Sequence, residues 1–93
     1  MKSHDLKKIT SDQLRASRSL LNWSAVDLAE RSKVGVATIR RAELAGGYLG
    51  ITHANEAALR SALESAGVAF IAEDELSDQG GAGVRLVKGV TNP

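Results

Sequence analysis

Apolar residues recur at helical spacing through the first two thirds of the chain and then give way to two short branched runs. Leu14, Arg18 and Leu21 fall at i, i+4 and i+7, and Leu59, Leu63 and Ala66 form a second stripe. Both follow the 3.6-residue period of a helix with one buried face. The helix starts are marked as well. Thr10 with Gln13, and Ser24 with Asp27, have the spacing of capping boxes. Ile9 and Trp23 precede them, placed to staple onto Leu14 and Leu28. A third start uses Gly35 as cap, with Val34 placed to staple onto Ile39. These signals predict helices over 11–21, 25–32, 36–45 and 52–66, the third ending at Gly46-Gly47 and the fourth at Gly67. After Gly67 the pattern becomes strand-like at 68–71 and 84–87. Residues 73–83 between them are acidic and glycine-rich, with no structure of their own expected. Such a hairpin is marginal in water, so the second strand must pack on the helices or pair with another chain. The organisation read from this is a polar arm over 1–9, a helical domain over 10–66 and a strand-bearing tail over 67–93.

Composition narrows the class. Ninety-three residues make one domain with a small core, which makes dimerisation attractive. The absence of cysteine excludes a disulfide framework, a thiolate metal site and a cysteine nucleophile. With no long apolar run and no signal-peptide pattern, the expectation is a soluble, cytoplasmic chain. The net charge of +1 hides an asymmetry. Residues 1–48 carry nine Lys/Arg and five Asp/Glu, hence +4; residues 49–93 carry three and six, hence −3. A basic working face in the first half follows from that split.

The second and third helices are short and separated only by Lys33-Val34-Gly35, the arrangement of a helix-turn-helix. Close crossing needs a small residue on the second helix, which Ala29 supplies, and apolar residues to lock the pair, which Leu28, Val34 and Ile39 supply. Here the sequence resembles the Xre-type, lambda-repressor-like family. The resemblance rests on Leu28-Ala29-Glu30-Arg31, Val34 and Thr38-Ile39-Arg40-Arg41-Ala42-Glu43, and extends over about residues 10–66. Two positions depart from the family pattern. Lys33 stands where glycine is usual in the turn, and Gly35 where Ser or Thr is usual. The fold this implies is mostly α: a lambda-repressor-like bundle with a helix-turn-helix, plus a short C-terminal hairpin or strand pair.

Two charges fall on apolar faces. Arg18 shares the stripe of Leu14 and Leu21, and Glu43 shares that of Ile39 and Ala42. A charge on a buried face is costly unless paired, so the economical expectation is an ion pair between them, which the resemblance also implies. The alternative is that each side chain reaches solvent separately.

With Ile39, Ala42 and Glu43 turned inward, Val36, Ala37, Arg40 and Arg41 form the outward face of the third helix. The resemblance implies that these positions lie against the major groove of duplex DNA. Arg41 is then the expected principal base reader, because a guanidinium can bond guanine O6 and N7 together. Arg40 divides between base edge and phosphate, and the methyl groups of Val36 and Ala37 suit thymine. Free amides at the helix N-termini suit phosphate oxygens, which nominates Ser24 and Ala25 at one and Gly35 at the other. The Thr38 hydroxyl either joins them or bonds its own backbone. Lys2, Lys7 and Lys8 are candidates to track the DNA backbone from the arm.

Other residue types carry less. His4 and His53 have no partners at metal spacing, and no serine lies in a catalytic motif. Gly80-Gly81-Ala82-Gly83 lacks the Lys-Ser/Thr of a phosphate loop. Glu73-Asp74-Glu75 reads as a solvated face, and Trp23 as a staple before a ligand platform. No enzyme, cofactor or metal is expected. The leading expectation is a dimeric bacterial transcriptional regulator that binds a two-fold operator. The alternative is an antitoxin whose tail binds a toxin protein. The candidate dimer interface is the fourth helix, with its Ala54, Ala58 and Ala62 row, together with the two strands.

Overall fold

Local signals place the elements where the sequence pattern expects them, within a residue at each boundary. The computed structural model describes residues 8–75 and 79–88. Over that range it consists of four helices and one two-stranded antiparallel sheet: α1 (Ser11–Leu21), α2 (Ala25–Ser32), α3 (Val36–Leu44), α4 (His53–Ser65), β1 (Val68–Ile71) and β2 (Gly83–Leu86). Both capping boxes form. The Thr10 hydroxyl accepts the Gln13 N–H while the Gln13 side chain accepts the Thr10 N–H, and Ser24 and Asp27 repeat the exchange. These bonds satisfy amides that the first turn of a helix leaves without partners. Helix α3 stops at Leu44 because Ala45 serves as its cap. Helix α4 starts at His53 because Thr52 is the N-cap, its hydroxyl accepting from Asn55 N–H, and it ends at Ser65 with Ala66 as C-cap.

Leu14, Leu28, Ile39, Leu59 and Leu63 contribute the centre of the core, each with no solvent exposure. Burying one such side chain is worth about 1.5–3 kcal/mol. Ile9 joins them at 0 % exposure, and its N–H donates to the Glu56 carboxylate at 2.8 Å. It therefore belongs to the helical domain, not to an arm reaching residue 9, because a branched aliphatic side chain gains more in the core than in water. The rest of the arm, with Lys2, His4 and Lys7, lies outside the described residues. Ser11 closes the base of the bundle, its hydroxyl donating to Ala42 O at 2.5 Å and its N–H to Gly47 O at 2.7 Å.

The strands pair within the chain, in the register Val68 opposite Leu86 and Ile71 opposite Gly83. Strand β2 thus begins one residue earlier than the branched run 84–87, since Gly83 can still pair with Ile71. Val87 keeps a ladder bond all the same, its N–H donating to Gly67 O at 2.6 Å. The segment after β1, expected to be unstructured, opens with a turn. Glu75 N–H donates to Ala72 O, the Glu75 carboxylate accepts from Ala72 N–H, and Asp74 adopts a left-handed φ of 61°. Gln13 fixes the sheet to α1: its side-chain amide nitrogen donates to Ile71 O at 3.0 Å and Gly83 O at 2.9 Å. One side chain so caps α1 and clamps the hairpin. Among the described residues no helix is long and apolar enough to cross a membrane.

Candidate nucleic-acid interface

Helices α2 and α3 pack against each other across a three-residue connection whose backbone is fixed at each position. Lys33 N–H closes the end of α2 on Ala29 O at 2.9 Å, with Lys33 at φ 66° and ψ 18°. A side chain in that left-handed region costs about 1 kcal/mol relative to glycine. Val34 turns into the core at 4 % exposure, and its N–H donates to the Ser32 hydroxyl at 3.1 Å. Gly35 then caps α3 with φ −60° and ψ 142° and no side-chain hydrogen bond.

The N-termini of the two helices consequently differ. At α2, the Ser24 and Asp27 amides are consumed by the capping box, and the Asp27 carboxylate sits where an approaching phosphate would have to come. Ala25 is half-buried and packs against the core. At α3 no side chain competes for the amides of the first turn, and residues 33–42 contain Lys33, Arg40 and Arg41 without an acidic residue. The positive end of α3 is the better anion site of the two.

Helix α3 divides into two faces. Ile39 and Ala42 have no exposure and Glu43 only 6 %, whereas Ala37, Arg40 and Arg41 are exposed and Val36 and Thr38 half-buried. The Thr38 hydroxyl accepts from Arg41 Nη2 at 3.4 Å, so it orients the arginine at the free surface. Neither Arg40 nor Arg41 takes part in an ion pair among the described residues.

The inward charge of α3 is neutralised in place. Arg18 Nε donates to Glu43 Oε2 at 2.6 Å and Nη2 to Glu43 Oε1 at 2.8 Å, a two-pronged pair, while Nη1 donates to Trp23 O at 2.9 Å. The Glu43 hydrogen bond holds the Arg18 pKa above its ordinary value, with burial opposing and the Glu43 charge adding. Such a pair fixes the rotation of α3 about its axis, and with it the direction in which Arg40 and Arg41 point.

Two positioning residues were not apparent from sequence. Arg15 donates to Glu43 O near the C-terminus of α3 and also pairs with Asp12. Arg31 places its guanidinium 4.5 Å from the centre of the Trp23 ring, so half-buried Trp23 joins α1 and α2 by stacking as well as by apolar packing. Both contacts join residues whose neighbourhood only the fold creates, and no spacing rule along one helix would find them. Lys8 stands 5.9 Å over the Tyr48 ring. His53 is exposed at the start of α4, and no cluster suited to a metal ion occurs among the described residues. No protein-family model, curated protein or solved structure matches the chain.

Proposed function

We propose that the chain is a sequence-specific duplex-DNA-binding protein of the helix-turn-helix type, acting as a transcriptional regulator. The observation that carries this reading is the exposed face of α3, where Arg40 and Arg41 stand beside Ala37 without an acidic partner. The opposite face of the same helix is locked by Ile39, Ala42 and the Arg18–Glu43 pair. A rigid helix presenting arginines and small apolar groups suits a major groove, where guanidinium groups meet guanine and methyl groups meet thymine. The N-terminus of α3, which no side chain caps, then receives a phosphate and sets the register, with Gly35 at the contact. Ser24 and Ala25 border the groove more weakly, because the capping box uses the Ser24 and Asp27 amides and sets a carboxylate beside those that remain. The resemblance to the Xre-type family is consistent with this assignment.

A toxin-binding tail is the less favoured reading, since the hairpin lies folded on the bundle under the Gln13 clamp. The reading is tested by comparing Arg41→Ala with the parent on a cognate duplex and on a shuffled duplex of equal length, at one salt concentration. A base reader loses about 1–3 kcal/mol on the cognate duplex and little on the shuffled one. Equal losses on both would reduce Arg41 to a phosphate contact.

A further inference from the structure

The hairpin has one edge, on β2, that pairs with no further strand among the described residues. Residues alternate along an antiparallel pair between those whose main-chain groups face the partner strand and those whose groups face away. The Val87 N–H bond to Gly67 O, continued through the register, directs Ala69, Arg85, Ile71 and Gly83 toward the ladder. Val84 and Leu86 then present their N–H and C=O groups outward from β2. No backbone hydrogen bond to them occurs among the described residues beyond the β1–β2 ladder. The same stretch carries exposed apolar surface: Leu86 is 43 % and Val87 47 % exposed. An open edge with apolar side chains invites another strand, and two strands alone are marginal where three or more are not.

We infer that this edge is a dimerisation surface, with β2 pairing antiparallel to β2 of a second copy about a two-fold axis at Leu86. Symmetric registers with the axis at Val84, Arg85 or Leu86 satisfy the outward main-chain groups within β2, and their side chains separate them. An axis at Arg85 sets two guanidinium groups directly opposite each other, an unfavourable cross-strand pair. An axis at Val84 leaves Leu86 opposite Ala82 and Val87 opposite Gly81, which has no side chain to cover it. With the axis at Leu86, Leu86 meets Leu86 and Val87 meets the aliphatic stem of Arg85. Both exposed apolar residues are then covered and no like charges face. The two hairpins become one four-stranded sheet, and the isologous contact closes on itself, which limits growth to a dimer. A second copy is the occupant because the edge is complementary to itself in this register.

The absence of cysteine from the chain makes the register directly testable. Opposite Cα atoms in a hydrogen-bonded antiparallel pair lie about 5.5 Å apart, within the range a disulfide spans. The full chain is expected to sediment as a dimer at micromolar concentration, and oxidised Leu86→Cys to run as a covalent dimer while oxidised Arg85→Cys stays largely uncrosslinked. Leu86→Pro removes an outward N–H and no β1–β2 ladder bond, so it should sediment at half the mass with the helical circular dichroism of the parent. If Leu86→Pro fails to fold, the cysteine pair decides alone. A monomeric parent, a dimeric folded Leu86→Pro variant, or crosslinking at Arg85 in preference to Leu86 would each overturn the assignment.

Discussion

Removing the Glu43 carboxylate would leave the Arg18 guanidinium with the Trp23 carbonyl as its remaining hydrogen-bond partner, at a side-chain exposure of only 22 %. Breaking a buried pair from one side costs about 3–5 kcal/mol, and the residual solvent contact of Arg18 places Glu43→Ala at the lower end, about 3 kcal/mol. A thermal melt checks this: a midpoint within a degree or two of the parent would show that the pair holds nothing. On the arginine side the pair is insensitive to ordinary pH. The raised Arg18 value means its contribution is complete below the usual arginine range and lost only above it. This pair was legible in the sequence because helical periodicity put two opposite charges on faces otherwise apolar. Arg15 and the Arg31–Trp23 stack were not legible. They depend on where α1 lies relative to α2 and α3, and exposed arginines at those positions look like any solvated charge.

The connection between α2 and α3 holds a stabilising substitution in reserve. Lys33 occupies a left-handed conformation that glycine adopts without strain, so Lys33→Gly should raise stability by about 1 kcal/mol, or about 4–8 °C in Tm for a domain of this size. A lower Tm would mean that the lysine side chain contributes more than its backbone costs. The hairpin depends on a different device. Gln13→Ala deletes the donor to Ile71 O and Gly83 O together with the acceptor for Thr10 N–H. A loss of about 2 kcal/mol follows from the three hydrogen bonds lost at half-buried groups, with faster hydrogen exchange at Ala69 and Arg85. Unchanged exchange there would show that β1 and β2 stay docked without the clamp. The helix starts were readable from capping spacings, and the glycines and caps set most ends. Gln13 was read only as half of a capping box, because its second use requires the tail to fold back onto α1 from across the whole chain. The end of the arm was misplaced for a related reason: Ile9 borders a polar segment in sequence but the core in space.

At the level of the whole molecule, the split of charge into a basic first half and an acidic second half is what the proposed division between DNA face and dimer edge calls for. Lys33, Arg40 and Arg41 lie on the exposed α2–α3 side, while Glu73, Asp74 and Glu75 lie in the turn that follows β1. The exposed face of α3 itself carries no acidic residue, and the sheet edge is left to the proposed second copy. A dimer of this kind presents two α3 helices about a two-fold axis, and so demands a two-fold target with half-sites about one helical turn, 34–36 Å, or a multiple of it apart. The sequence foretold the bundle and the two faces of α3; it did not tell which edge of the tail stays open, since that follows from strand pairing alone. Selection from a random duplex DNA pool with the full-length chain tests the central claim most directly. Enrichment of an inverted repeat whose half-sites contain a guanine beside a thymine-bearing step is the predicted result. Recovery of unenriched sequences, bound with equal affinity whatever their order, would contradict it.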